Sequence, residues 1–312
     1  MKTNELEEPV FLAAAGETLF GIHAHATLPS RRIGVILVHG GDKVNAAMSR
    51  NRVGVQLARQ LAGDGYDVFR FAYHGVGESS GTVEAVDIHR PFTDDVVGAA
   101  PYLRSVGIEG FVLIGVCFGS RTALSSAELI DGTKGVVMAA PPSSGYNRTE
   151  ASAAWIARNR SLRGYVASAI KREKVAGLLD RQKRREYLKM ARIKARHMIA
   201  RFSRHGRRNN GNDEFGWVSP VLTGPLEHAA QAGINVLFLF GTDDPWLAEF
   251  NEAGRGPLGQ ILTDGRDTIE IVDDVPGIMN GLVEIEAQRA FSAHTTAWLH
   301  RRVPGRQSAS KD

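Results

Sequence analysis

The strongest constraint on the fold of this chain is a series of short apolar runs without polar alternation, each followed by a segment of helical periodicity. Ile33-Gly34-Val35-Ile36-Leu37-Val38 ends in His39-Gly40-Gly41. Val53, Val55, Leu57, Ala58 and Leu61 then recur at the spacing of one helix face that stops near Gly63. The pattern returns with a strand at Asp67–Ala72 and a helix from Asp94 to Val106, then a strand at Phe111–Ile114 and a helix through Ala123, Leu124 and Leu129, then a strand at Gly135–Ala140. A strand that is apolar at every position must be covered on both faces, and interspersed helices supply the cover, so the alternation predicts a mostly parallel α/β sheet. Ahead of it, residues 7–29 predict two antiparallel strands broken at Gly16.

The alternation stops after Pro141-Pro142 and resumes at Ile234–Phe240, with a last strand at Thr268–Val272 and a closing helix from about Glu284 to Arg301. This predicts a core domain of residues 1–142 and 231–312 interrupted by a helical insertion at 143–230. The net charge of +4 conceals where the charge lies. Residues 151–210 hold 18 Lys and Arg against three acids, a net of +15, and the rest of the chain holds 20 against 31, a net of −11. Hydrophobic residues at 43% and charged residues at 23% exclude a disordered chain. No apolar run reaches 18 residues, so no transmembrane segment is expected. Cys117 is the single cysteine, which rules out an intrachain disulfide and fits a reducing compartment. The acidic N-terminus lacks an apolar signal core, so the expected location is cytoplasmic.

Gly115-Val116-Cys117-Phe118-Gly119 lies between a predicted strand and a predicted helix. That is the spacing of a nucleophile elbow, in which the two glycines permit a sharp turn that lifts the central side chain above the sheet. A cysteine at the start of a helix feels the positive end of the helix dipole, which favours its thiolate. The plain alternative is a small buried cysteine at the end of a core strand.

With the elbow, His39-Gly40-Gly41 and Tyr73-His74-Gly75-Val76-Gly77-Glu78-Ser79, the chain resembles the α/β-hydrolase superfamily over residues 7–142 and 234–301. His74 stands where arginine is usual. Within the superfamily it is similar to the cysteine-elbow hydrolases encoded with exosortase and polysaccharide systems, and to cysteine acyltransferases that shuttle acyl groups between carrier proteins. Cysteine-elbow dienelactone hydrolases resemble it less, being shorter and lacking the basic insertion. The resemblance implies an α/β-hydrolase fold, with Cys117 as nucleophile and an oxyanion hole formed by the backbone N–H groups of Phe118 and Gly41. The His39 side chain is expected to be structural. The triad acid is expected in Phe240-Gly241-Thr242-Asp243-Asp244-Pro245, where Asp244 matches the family position better than Asp243, although either also suits a helix N-cap ahead of Pro245. The family's histidine falls in Pro276-Gly277-Ile278-Met279-Asn280-Gly281, and Asn280 takes its place. His294 and His300 are expected on the exposed side of the last helix, and His74 is the remaining substitute base.

A serine without its base is nearly inert, whereas a thiol is already a few per cent ionised near neutrality. Acylation of Cys117 by an ester or thioester therefore remains feasible. Deacylation by water is the harder half, because water needs a general base. The expected activity is that of an acyl (thio)ester hydrolase or acyltransferase with no cofactor or metal. A catalytically impaired binding protein is the alternative, as is a peripheral membrane binder. In the insertion, Leu188, Ala191, Ala195, Met198 or Ile199, and Phe202 form an apolar stripe among Lys183, Arg184, Arg185, Lys189, Arg192, Lys194, Arg196 and Arg201. The superfamily carries a cap at this place in the chain. Its charge fits coenzyme A or phosphopantetheine phosphates, an acidic acyl carrier protein, or an anionic surface. Nucleic acid ranks last among partners, because no nucleic-acid-binding motif accompanies the charge.

Overall fold

The computed structural model describes residues 7–40, 50–83, 89–145, 215, 217–242, 244–278 and 282–305. The chain divides into two compact units, residues 1–145 with 218–312, and residues 146–217. The basic insertion lies in the second unit, outside the described residues.

The first unit is built on an eight-stranded sheet in the order β1-β2-β4-β3-β5-β6-β7-β8. The strands are β1 (Glu7–Ala14), β2 (Glu17–Ala24), β3 (Ile33–Val38), β4 (Asp67–Phe71), β5 (Gly110–Val116), β6 (Thr133–Ala139), β7 (Asn235–Leu239) and β8 (Ile269–Val272). β2 runs antiparallel to β1 and β4, and every pairing from β4 through β8 is parallel. β3 and β4 are buried at every position, as unalternated apolar strands require. The helices among the described residues are α1 (Val53–Gly63), α2 (Thr93–Ser105), α3 (Phe118–Ala127), α4 (Pro220–Gln231), α5 (Pro245–Ala253), α6 (Pro257–Asp264) and α7 (Ile285–Arg302). Among them, no helix is long and apolar enough to cross a membrane.

From β3 the chain steps outward through α1 to β4, then back across β3 through α2 to β5. Because parallel crossovers are right-handed, this reversal puts α1 and α2 on opposite faces of the sheet. α1 meets α7 on one face, and α2, α3 and α4 form the layer on the other. Gly135 on β6 makes room for the fully buried Trp298 of α7, whose ring stands 2.7 Å from where a Cβ would be. The reversal also makes the carboxyl ends of β3 and β5 the topological switch point, the position where open α/β sheets bind ligands.

Residues 220–230 fall inside the 143–230 expected for the insertion, yet with Gln231 they form α4 in the first unit. Leu222, Leu226 and Ala229 put a buried stripe on one face of this helix, and it packs on α3 and α6. The chain leaves and re-enters the sheet unit at one place, where Ser144 bridges Val218 and the Ser219 amide donates to the Ser143 carbonyl at 2.9 Å.

Candidate active site

Cys117 sits at the carboxyl end of β5, on the residue that caps α3, with φ 54° and ψ −119°. A residue with a Cβ rarely adopts this conformation, which costs on the order of 1–3 kcal/mol and persists only where its surroundings enforce it. Several contacts do so. The Cys117 amide donates to the Ala139 carbonyl at 2.8 Å, and the Ser120 amide donates to the Cys117 carbonyl at 3.0 Å. The Ser120 hydroxyl donates to Gly115 and Ala139 carbonyls at 2.9 and 3.1 Å. Both elbow glycines are sterically required. A Cβ at Gly115 would overlap the Gly119 carbonyl and come within 2.5 Å of Ser120 Cα, and one at Gly119 would overlap the carbonyl oxygens of Val38 and His39. β3, β5 and α3 therefore meet backbone to backbone, and Cys117 stays partly exposed at the apex.

Gly40 lies beside this apex, since a Cβ on it would stand 3.6 Å from Cys117 Cβ and 3.1 Å from the Val116 carbonyl. Phe118 opens α3, a position whose N–H has no acceptor inside the helix. Gly41, the other expected oxyanion donor, lies outside the described residues. His39 braces the loop. Its Nδ1 faces the Gly40 carbonyl at 2.9 Å, its ring lies 4.2 Å from that of Tyr73, and its own carbonyl accepts from Tyr73 Oη at 3.0 Å. Its Nε2 is shielded from solvent and has no hydrogen-bond partner among the described residues. Burial pulls the imidazole down to about 4, so it is neutral at physiological pH.

Asp244 is buried and does two things. It caps α5, with Oδ1 accepting from the Trp246 amide at 2.8 Å ahead of Pro245. Its Oδ2 is buried with no hydrogen-bond partner among the described residues. Burial raises the carboxyl to about 6, against the opposing hydrogen bonds from the Trp246 and Gly241 amides. Asp243 and Asn280 lie outside the described residues, but the approach to position 280 is visible. The Val275 amide donates to the Phe240 carbonyl at 3.0 Å, and Gly277 turns the chain with φ 63°. A Cβ on Gly241 would stand 3.4 Å from Ile278 and 3.9 Å from Asp244 Cβ, so the loop passes beside Asp244 two residues before Asn280.

Three further histidines considered from the sequence, His74, His294 and His300, each face a carboxylate. His74 is tied to Asp95, with Nδ1 2.8 Å from Oδ2 and the backbone amide 2.9 Å from the same oxygen, and its ring meets Phe92 edge-on at 5.2 Å. Burial raises the Asp95 carboxyl. His294 and His300 lie on α7, facing Asp274 at 3.6 Å and Asp64 at 3.4 Å.

Two charged residues of this region have no counterpart in the sequence reading. Arg121, one helical turn beyond Cys117, is fully buried and donates to the carbonyls of Pro142 (2.9 and 2.6 Å) and Ser144. Glu249 of α5 grips the same segment from its other side, accepting the amides of Ser143 and Ser144 at 2.8 and 2.6 Å. Burial lowers the Arg121 guanidinium to about 10 against the attraction of Glu249 and Cys117, so a buried cation lies within electrostatic reach of the thiol. The sequence did hold a signal: Arg121 is the one charged residue in Phe118–Ala127, a helix buried at every position.

The sequence model of the alpha/beta hydrolase family matches residues 35–274. The chain belongs to this family. No curated protein compared with it matches in sequence. Among solved structures, the proline iminopeptidase of Mycobacterium smegmatis is similar at 17% identity and TM-score 0.55, covering 95% of this chain and 98% of its own. The Pyrococcus furiosus esterase Pf2001 is similar at 13% identity and TM-score 0.56, covering 95% and 91%. XC6422 of Xanthomonas campestris, described as an α/β serine hydrolase without lid, is similar at 14% identity and TM-score 0.53, covering 96% and 97%. At these identities the likeness establishes the α/β-hydrolase fold, with its mostly parallel eight-stranded sheet flanked by helices. Membership of the family supports a hydrolase.

Proposed function

We propose that the protein is an acyl (thio)ester hydrolase or acyltransferase working through a covalent acyl-cysteine at Cys117. The observation that carries this reading is the enforced left-handed backbone of Cys117 at the switch point between β3 and β5. The Cys117 sulfur attacks the acyl carbonyl carbon, and the amides of Phe118 and Gly41 hold the resulting oxyanion. Collapse of this intermediate breaks the bond to the leaving alcohol or thiol, which takes up a proton, and leaves the acyl group on sulfur. The start of α3 and buried Arg121 both favour the thiolate. Asp244 Oδ2, without a hydrogen-bond partner among the described residues, is available in this reading to orient the side chain at position 280. Asn280 cannot take a proton from water, so an acceptor thiol is the favoured route off the enzyme and transfer is favoured over hydrolysis.

The basic insertion acts in this reading as a cap that recruits an anionic donor, either an acyl-coenzyme A or an acidic acyl carrier protein, in the cytoplasm. Intact-mass spectrometry of the wild type mixed with acyl-coenzyme A and acyl-pantetheine donors is expected to show one acyl adduct, absent from Cys117→Ala. No adduct on the wild type across a broad donor panel would overturn the proposal.

Asn280 also favours a second reading, a catalytically impaired binding protein. The two separate on Asn280→His, which is expected to raise hydrolysis of a model thioester if Cys117 is a working nucleophile.

A further inference from the structure

At the end of the sheet opposite Cys117, the end of β2 and the start of β4 bring together His23, His25 and Asp67. His23 and His25 are two residues apart on extended chain, so their side chains lie on one side of it. One ligand atom from each of the three residues lies within 4.8 Å of the others. His23 Nε2 is 3.2 Å from Asp67 Oδ1, and His25 Nδ1 is 4.0 Å from the same oxygen. The second nitrogen of each ring is held from outside, His23 Nδ1 by Tyr102 Oη at 2.9 Å and His25 Nε2 by Glu8 Oε2 at 3.0 Å.

Hydrogen bonding alone explains only half of this cluster. Tyr102 donating to His23 Nδ1 leaves the His23 Nε2–H to donate to Asp67, and that pair is satisfied. At His25, donation from Nε2–H to Glu8 leaves Nδ1 as a lone pair facing the Asp67 carboxylate at 4.0 Å, too far for a hydrogen bond. Two electron-rich atoms held 4.0 Å apart suit a cation between them. Metal-bound histidines characteristically turn one nitrogen to the ion and donate the other N–H to a carboxylate or other oxygen, as both rings are placed to do. With bonds of about 2.0–2.2 Å, the ligand atoms of a tetrahedral zinc site lie roughly 3.4 Å apart; the 3.2 Å edge already matches, the 4.0 Å edge must close by about half an ångström, and the half-exposed His25 is the residue placed to move inward. Two imidazoles and a carboxylate select the zinc class of divalent ions over calcium or magnesium, which take oxygen ligands.

We propose that His23, His25 and Asp67 bind one zinc-class divalent ion that ties the β1–β2 hairpin to the first turn of the parallel sheet, with Tyr102 and Glu8 orienting the two rings. His23 is fully buried, whereas His25 and Glu8 are exposed enough to admit the ion and leave a fourth position for water. Binding switches the His23 tautomer: the proton leaves Nε2 for solvent and one is taken up at Nδ1, with no net release, and Tyr102 Oη turns its own proton away and accepts from Nδ1–H.

The test uses the full chain carrying Cys117→Ala, so that the thiol contributes no ligand, titrated with Zn2+ by calorimetry and with Co2+ by visible absorption. One equivalent of saturable binding is expected, with a raised Tm and an intense cobalt absorption. His25→Ala and Asp67→Asn should abolish it, Glu8→Gln should weaken it about 10- to 100-fold, and His228→Ala, a surface histidine elsewhere, should leave it unchanged. Far-UV circular dichroism checks that each variant is folded, and His25, being half-exposed, is the safer substitution. No saturable Zn2+ binding to the parent, or binding that survives His25→Ala in a folded chain, would overturn the proposal.

Discussion

The two ends of the sheet solve opposite problems. At the carboxyl end, around Cys117, the backbone is held in a conformation it would not choose, two glycines are enforced by backbone contact, and Asp244 Oδ2 and His39 Nε2 are buried without partners among the described residues. At the amino end, around His23 and Asp67, the chain is ordinary extended strand, and Asp67 accepts from His23, Ser30 and the Ala26 amide. The difference teaches where the fold bears a cost in stability. Asp67 is satisfied by protein, as a buried polar group normally is, whereas Asp244 Oδ2 and His39 Nε2 are buried without a partner among the described residues.

The contrast can be broken by substitution. Arg121→Ala should have the largest effect on stability, because it strands Glu249 and the carbonyls of Pro142 and Ser144; we expect a loss of about 3–5 kcal/mol in denaturant unfolding. Arg121→Met paired with Glu249→Gln should recover part of that loss. Gly119→Ala should cost about 3 kcal/mol, because the clash is with the backbone of β3.

Asp244→Asn and Asp67→Asn should differ in sign. The Asp244 carboxyl titrates near 6 when folded and near 3.8 when unfolded, so the folded state holds the proton more tightly. Its stabilising contribution is complete below pH 3.8 and is lost as pH rises through about 6. Asp244→Asn should therefore raise stability by about 2–3 kcal/mol above pH 7 and change little at pH 4, while slowing turnover. Asp67→Asn removes charged hydrogen bonds and should lower stability by about 1.5–3 kcal/mol. If both aspartate variants destabilise at pH 8, the contrast between the two ends fails. The smallest effect belongs to Gly224→Ala on α4, where a Cβ meets nothing within 4 Å; a gain of about 0.5–1 kcal/mol in unfolding free energy is expected.

Much of the fold was legible because it is written locally. The runs at Ile33–Val38 and Asp67–Phe71 declare strands buried on both faces, Gly16 marks the hairpin, and Gly115-Val116-Cys117-Phe118-Gly119 carries its own steric logic within five residues. Helix α4 was not separated from the insertion, because its stripe of Leu222, Leu226 and Ala229 is indistinguishable in sequence from that of a cap helix until α3 is seen beneath it. The two possible roles of Asp244 were equally opaque. A cap is visible in the neighbouring Pro245, but a second oxygen left without a partner is a property of its surroundings.

What the sequence determined by itself, then, is the class of the fold, the elbow and the position of its cysteine, since these follow from periodicity and from glycine spacing along a single stretch of chain. Tertiary structure alone decided the rest. It set Arg121 and Glu249 on either side of residues 142–144, joined His74 to Asp95, and brought His23 and His25 to an aspartate more than forty positions away. The reason is physical. Buried polar groups are stable only with partners, and those partners lie across the sheet on segments whose separation along the chain carries no trace of their proximity.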